Sequence, residues 1–416
     1  MGASYSIAHG VNEDVEVSDR KGNILKASAY RVSQWARRPP GPRTGRTFSR
    51  FLAKCHHIAR HMICTTTDTS PEDARNPWVA YDTLNQSAMA PRLNLPEKLD
   101  LSYFEVGPTV GTGSYASVCV VGLKTVPEPQ RPTFALKVLH KTKVISERQV
   151  LHLRNEKQIL STITHPFIVR YLGSFQDEVN VYMLLEYVCG GELFSYIYKY
   201  GALGHTVARF YTAQAVLAID FLHSKGIVYR DLKPENMLLD RFGHIRLVDF
   251  GFAKEVKNKT YTVCGTHDYL APEIFLRCGH GVEADWWSLG VLVYELLTGA
   301  PPFHASDPVS TYDLALENRI LFPLSVRNEV KDFIRRLLVV NPRKRLGTGG
   351  NAGIYSHRFF HGIDWMKMLA KQLKPPIVPR LSGGTDTTNY MKYSDDWRAY
   401  NVKITPAQQD ENFSDF

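Results

Sequence analysis

Tyr229-Arg230-Asp231-Leu232-Lys233-Pro234-Glu235-Asn236 is the stretch on which the reading of this chain turns. It sets an acid at 231, bases at 230 and 233 and an amide at 236, and Asp249-Phe250-Gly251 begins thirteen positions after the amide. Asp231 is spaced to take a proton from a hydroxyl. Lys233, two residues on along an extended loop, falls on the same side, where it can reach a phosphate. Asn236 and Asp249 offer the hard oxygens a divalent cation prefers. An Arg-Asp pair alone would be a polar loop capping nearby backbone. With the Asn five residues after the Asp and the second Asp downstream, the set matches what phosphoryl transfer needs: an oriented nucleophile, metal across the phosphates and compensation of negative charge.

Outward from this loop, Phe104–Val110 and Ser117–Val121 read as strands flanking Gly111-Thr112-Gly113-Ser114-Tyr115-Ala116, where glycines let backbone amides close over phosphates. Phe134–Leu139 is a β-run interrupted by Lys137. Glu156 follows nineteen residues later in a helical stretch, Arg148–Thr162, and a buried lysine needs such a partner. Val179–Val188 reads as a buried strand, Val207–His223 as a long core helix and Phe242–Val248 as a hairpin delivering Asp249. An apolar helix begins at Asp285-Trp286-Trp287, and helices at 310–317 and 327–340 complete a mostly helical second half. Lys374-Pro375-Pro376-Ile377-Val378-Pro379 cannot form a helix.

These motifs, in this order, resemble the protein kinases; Tyr229-Arg230-Asp231 resembles the AGC family of serine/threonine kinases, which includes the cAMP-dependent enzymes. The resemblance covers roughly 104–416. It implies an α+β, bilobal fold, with a small β-rich N-lobe, a larger helical C-lobe (104–360 together) and a tail (361–416) crossing back over both. It implies ATP as phosphoryl donor and Mg2+ as metal, with Asp231, Lys233 and Thr266 catalytic and Asn236 and Asp249 holding the metal. Val110, Gly111, Thr112, Gly113, Ser114, Tyr115, Ala116, Ser117, Val118, Ala135, Lys137, Glu156, Glu186, Val188 and Leu238 would form the nucleotide site, with Leu185 at its back. Ala116 stands where the family has a third glycine.

By the same resemblance Thr262 matches an activating phosphosite, with Arg230, Lys254 and His152 as phosphate ligands and Glu255 where the family carries an arginine. Thr405 matches a second phosphosite. Asp285 would brace the catalytic loop, and Arg345 would pair with Glu273 of Ala271-Pro272-Glu273. Glu192, Glu235 and Glu295 fall where the family reads arginines ahead of the acceptor, which implies protein substrates of the type Arg-Arg-x-Ser/Thr. Val263 and Leu270 would line an apolar pocket for the following residue, where His267-Asp268 replaces the family's Pro-Glu. Asn389-Tyr390 stands in place of an Asn-Phe that approaches ATP, and Met391-Lys392 replaces an acidic pair. Phe413-Ser414-Asp415-Phe416 resembles the end of the cAMP-dependent kinases. Three activities stay open: a catalytic subunit held by a cAMP-binding regulatory subunit, an AGC kinase outside cyclic-nucleotide control, and a pseudokinase scaffold. The presence of Lys137, Glu156, Asp231, Asn236 and Asp249 argues against the last.

The composition agrees with an ordinary soluble chain: 416 residues, 44% hydrophobic and 22% charged, enough for one large or two medium cores. Cysteines at 55, 64, 119, 189, 264 and 278 include no CxxC spacing, so neither a zinc site nor a disulfide scaffold is expected, and a cytoplasmic setting fits. No apolar run of membrane-spanning length and no secretory leader stand out. The net charge of +9 is concentrated early, since residues 1–61 hold 11 Lys/Arg against 4 Asp/Glu. Met1-Gly2-Ala3-Ser4-Tyr5-Ser6 fits the N-myristoylation pattern at Gly2. A single acyl chain needs a second signal, and Arg31, Arg37, Arg38, Arg43, Arg46 and Arg50 could supply it at an anionic membrane surface. A solvated tail is the plainer reading, and no nucleic acid is expected as a partner. Within the 1–100 extension, 37–47 reads as a turn-rich linker, Phe51–Ile63 as a short helix and Thr65–Pro96 as loop.

Overall fold

The apolar runs around the glycine motif build a five-stranded antiparallel sheet: β1 (Phe104–Thr112), β2 (Ala116–Leu123), β3 (Thr133–His140), β4 (Tyr171–Gln176) and β5 (Asn180–Glu186), in spatial order β1-β2-β3-β5-β4. The computed structural model describes residues 95–96, 98–127 and 130–416, together with an isolated strand pair, Val17–Ser18 with Ile24–Leu25. Gly2, the basic arm, the predicted helix 51–63 and most of the predicted loop 65–96 lie outside the described residues. In β3 the period-2 pleat decides what faces the cleft between the lobes. Phe134, Leu136 and Val138 point into an apolar cluster with Phe104, Val121, Tyr182 and Leu184. Ala135 and Lys137 therefore point to the other face.

Several boundaries differ from the sequence reading. The first two strands run on to Thr112 and from Ala116, leaving only Gly113–Tyr115 as the turn. The helix expected over Arg148–Thr162 is α2 (Val150–Thr162), and a separate, unforeseen helix, α1 (Lys141–Ser146), precedes it. Arg148 sits at φ 57°, a left-handed conformation that a continuous helix excludes. The predicted strand 179–188 stops at Glu186, so Tyr187 and Val188 belong to the connection between lobes. Strand β4 was not anticipated: Gly173 and a register shift between Tyr171 and Gly173 break its alternation.

The C-lobe is wrapped around two helices buried on nearly every side, α4 (Gly204–Ser224) and α6 (Glu283–Thr298), after α3 (Leu193–Tyr200) and the short α5 (Pro272–Phe275). An all-round buried helix is a core element, and Trp286 and Trp287 of α6 are fully enclosed. Outer helices α7 (Pro308–Glu317) and α8 (Asn328–Leu337) pack by one face. In α8, Val330, Phe333, Ile334 and Leu337 are buried at helical steps, while Asp332, Arg335 and Arg336 face water. Two short strand pairs frame the interlobe loops. Strand β6 (Ile227–Val228) pairs with β9 (Lys254–Glu255), and β7 (Met237–Leu239) pairs with β8 (Ile245–Leu247). The hairpin that delivers Asp249 thus begins at 237, earlier than the predicted 242.

After α9 (Ala352–Tyr355) and α10 (Trp365–Leu369), the tail runs without helix through Lys374–Pro379, as its prolines require. It then returns to the N-lobe and ends in α11 (Pro406–Phe413), a helix the sequence reading did not foresee. Thr405 closes its N-terminus in a capping box with Gln408, and Pro406 occupies the first turn. No helix among the described residues is long and apolar enough to cross a membrane.

Candidate active site

The loop after β6 is held from behind by Asp285, whose carboxylate accepts from the backbone N–H of Tyr229 at 2.9 Å and of Arg230 at 2.8 Å. His223 Nε2 lies 2.8 Å from the same carboxylate. Arg230 takes φ 69° and Asp249 φ 56°, conformations that cost energy in a non-glycine residue and mark a loop overdetermined by its surroundings. The reward is convergence. Thr266 Oγ1 donates to Asp231 Oδ1 at 3.0 Å, and Lys233 Nζ donates to Thr266 Oγ1 at 2.8 Å while lying 2.9 Å from Asp231 Oδ2. Asn236 Nδ2 donates to the Asp231 carbonyl at 2.9 Å and to Oδ2 at 2.8 Å. Gly265 makes this approach possible: at φ 110° it lies so close that a Cβ would meet the Arg230 carbonyl at 2.8 Å.

On the N-lobe side, Lys137 Nζ donates to both Glu156 oxygens, at 2.7 and 2.8 Å, and lies 3.7 Å from Asp249 Oδ1. Burial works against the Lys137 charge, but Glu156 and Asp249 outweigh it and raise the lysine above its ordinary range. Burial likewise opposes the Asp249 charge, and Lys137 and Lys233 overcome it, holding the carboxyl below the usual range. Burial raises the Glu156 carboxyl, with Lys137 working against that rise, while Lys137 and Asp249 are each held toward their charged forms under the glycine-rich hairpin. Among the described residues no cluster of three His, Cys, Asp or Glu could cage a metal. Asp249 and the Asn236 carbonyl oxygen remain as a two-oxygen set, which suits a hard cation completing its shell with phosphates and water.

Val110, Gly111, Thr112, Ala116, Ser117 and Val118 lie on β1 and β2, and Gly113, Ser114 and Tyr115 form the turn between them. Ala135 is on β3, Glu186 ends β5, Val188 follows, and Leu238 comes from β7. The tail closes this edge. Tyr390 donates its hydroxyl to the Val188 carbonyl, Asn389 Nδ2 donates to the Cys189 carbonyl at 3.1 Å, and Tyr187 donates to the Asp386 carbonyl at 2.6 Å. Sequence reasoning put Tyr390 near the nucleotide but missed its hydroxyl bond.

Glu192, Glu235 and Glu295 come from three separate elements and form one acidic group. Burial pushes Glu192 up to about 7, with Glu235 adding to it. Burial also pushes Glu295 up to about 8, with Glu235 and Asp268 adding, and it raises Glu235. One oxygen each of Glu235 and Glu295 is buried with no hydrogen-bond partner among the described residues. Such carboxylates ask for a cation. Asp268, not proposed as part of this group from sequence, belongs to it electrostatically and lies 3.1 Å from His304 Nδ1. Leu270 is buried and Val263 is exposed.

Thr262 is exposed on the segment between Asp249 and Glu273. Arg230 donates Nε to the Phe252 carbonyl at 2.6 Å but leaves Nη1 buried without a partner among the described residues. His152 Nδ1 is likewise buried and unpartnered, and its imidazole is pushed down by burial and then by Arg230 and Lys254. Lys254 Nζ donates to Thr260 Oγ1 at 3.4 Å. Arg345 clasps Glu273 with two donations, at 2.6 and 2.9 Å, both side chains being buried. Thr405 lies far along the chain, at the α11 cap.

A strand lysine paired to a helix glutamate beneath a glycine-rich hairpin, facing a braced acid on a helical lobe, defines the class of nucleotide-dependent phosphotransferases. The chain belongs to the protein kinase domain family, whose match spans residues 104–360. It is similar to the human cAMP-dependent protein kinase catalytic subunit PRKX, at 46% identity over 305 residues, or 73% of this chain and 84% of the relative. It is also similar to a Caenorhabditis elegans cAMP-dependent protein kinase, catalytic subunit-like, at 41% over 302 residues (72% and 75%). The Saccharomyces cerevisiae cAMP-dependent protein kinase type 3 is 40% identical over 309 residues (74% and 77%). The family uses ATP and a divalent metal.

Proposed function

We propose that this kinase transfers the γ-phosphoryl of ATP, with Mg2+, to Ser or Thr preceded by paired arginines, as the catalytic partner of a cAMP-binding regulatory subunit. The observation that carries the reading is the Asp231–Thr266–Lys233 triangle, with its 3.0, 2.8 and 2.9 Å sides, facing the Lys137–Glu156 pair. Thr266 and Asn236 hold the Asp231 carboxylate so that it can orient the acceptor hydroxyl and take its proton. Lys233 carries positive charge to where negative charge builds on the phosphoryl oxygens. Lys137, locked by Glu156, would grip the phosphates from the other lobe. Asn236 and Asp249 would hold Mg2+, which when bound neutralises charge across the phosphates.

The buried, unpartnered carboxylates support the arginine preference, and the relatives named as cAMP-dependent catalytic subunits support the regulatory partner. A regulatory subunit offering a paired-arginine segment would meet the same carboxylates. Phosphorylation of Thr262 and Thr405, cytoplasmic residence and acylation of Gly2 with weak membrane attachment belong to the same proposal. The test is phosphate transfer from labelled ATP to an arrayed peptide set. Asp231→Asn is expected to lose about 10²- to 10⁴-fold in kcat while calorimetry shows ATP still bound; retained turnover would reject the assignment. Equal use of peptides with and without the arginine pair would reject the preference. Capture of a regulatory subunit that cyclic nucleotide does not release would place the kinase outside cAMP control.

A further inference from the structure

The root of the glycine-rich hairpin is irregular. In the β1–β2 register Val106 faces Val121 and Thr109 faces Cys119, so Gly107 and Pro108 together face Val120 alone. A second shift follows, since Gly111 faces Val118. Each extra residue bends and twists a strand and leaves backbone groups outside the ladder. The direction in which Gly111–Ala116 leaves the sheet therefore depends on what holds this doubled bulge.

The tail supplies the missing partners. Asp395 Oδ1 accepts from Thr109 N–H at 3.2 Å and from Thr109 Oγ1 at 2.5 Å. Arg398 Nη2 donates to the Gly107 carbonyl at 2.8 Å and to the Val106 carbonyl at 3.3 Å. Between them Trp397 is buried in the apolar cluster behind the sheet, with Phe104 and Val121, so the two charged side chains hang from a fixed anchor. We propose that Asp395 and Arg398 are positioning residues for the reaction: they clamp the bulge in β1 and thereby set how closely the glycine-rich hairpin closes on the nucleotide. This rests on the kinase reading above. It assigns a role to two residues, at 45% side-chain exposure each, that otherwise look like solvated surface.

The test uses the full chain with Asp395→Ala, Arg398→Ala, Thr109→Val, Thr109→Ser and the double variant Asp395→Ala/Thr109→Val. Loss of the clamp is expected to raise the ATP KM three- to tenfold, with kcat and the peptide KM within twofold of the parent. The double variant should be no worse than Asp395→Ala, because the hydroxyl bond that Thr109→Val removes is already lost with the Asp395 carboxylate, and Thr109→Ser should behave as the parent. Amide hydrogen exchange across residues 109–116 should quicken at least fivefold in Asp395→Ala without nucleotide. An unchanged ATP KM overturns the proposal. So does a parallel fall of kcat, peptide KM performance and melting temperature in which Thr109→Ser is as impaired as Thr109→Val. If Asp395→Ala does not fold, Thr109→Val, which keeps the size and removes only the hydroxyl, carries the test. Should the parent transfer no phosphate, the kinase reading fails by itself, and exchange with calorimetric ATP affinity still decides the clamp.

Discussion

On the proposed arginine preference, single carboxylates set the chemistry of peptide recognition. Glu192 and Glu295, raised to about 7 and about 8 by burial and by their acidic neighbours, are largely protonated at pH 6 and charged at pH 9. An arginine entering at low pH must expel protons; at high pH it meets carboxylates already ionised. The KM for a paired-arginine peptide should therefore fall as pH rises from 6 to 8.5 and level off above that, while a peptide without arginines stays flat; initial-rate kinetics across that range check this. The same shift has a stability cost. Between the unfolded value of 4.5 and about 8, the folded state holds more protons at Glu295 than the unfolded chain does. Stability therefore falls as pH rises through that window. Glu295→Gln should raise stability at pH 8.5 by about 1–2 kcal/mol and lose at least about tenfold of the arginine preference, by denaturant titration and peptide kinetics.

At the scale of an element, the segment from Asp249 to Glu273 is fastened at several points, through the β9–β6 pair and the Thr260–His280 bridge, and exposes Thr262 between them. Its far end is locked by the buried Glu273–Arg345 pair, and Gly265 presses its middle against the catalytic loop. Arg230 and His152 hold buried nitrogens without partners among the described residues, and Lys254 of this segment reaches Thr260, two residues before the exposed Thr262. A phosphate on Thr262 would bring nearly two negative charges toward Arg230 and Lys254, whose charges, after burial, now hold His152 below its ordinary range. Phosphorylated Thr262 is expected to raise the melting temperature by several degrees and kcat at least about tenfold, since each bond it forms is charge-assisted. His152→Ala should keep part of that gain and Arg230→Ala none, as measured by kinetics and thermal unfolding on phosphorylated and dephosphorylated protein. The pH response of His152 should also reverse: it is now held below its ordinary range, and a neighbouring phosphate would raise it.

For the molecule as a whole the tail is the strap that joins the lobes. It leaves the C-lobe through Lys374–Pro379, bonds the interlobe connection through Asn389 and Tyr390, and meets β1 through Asp395 and Arg398. It then seats Phe413 in the core, next to Gln176, which donates to the Phe413 carbonyl at 2.9 Å. Arg154 and Lys157 of α2 reach the same tail end: Arg154 pairs with Asp415 at 3.3 Å, and Lys157 sits 4.3 Å from the Phe416 ring. That couples the tail to the helix carrying Glu156. Phe413→Ala should cost about 3–5 kcal/mol and lower kcat without abolishing peptide binding, because α2 loses its support and the Lys137–Glu156 pair loosens; denaturant titration and steady-state kinetics read the two effects.

Short motifs recur at fixed spacings, which is why the pairing of Lys137 with Glu156, the meeting of Asp231 with Asn236 and the two-lobed fold could be expected from the amino-acid sequence alone. Local backbone preference carried the main helices too, but not α1, nor the start of α2, which the left-handed Arg148 delays to Val150. Nor did it reveal β4 or α11, whose residues lack clean periodicity. What joins Thr109 to Asp395 across 286 residues, or adds Asp268 to the acidic group expected of Glu192, Glu235 and Glu295, was settled only by the tertiary path. Partners that far apart share no sequence rhythm. The burial that raises a carboxylate's pKa is likewise a property of its surroundings in space, not of its neighbours along the chain.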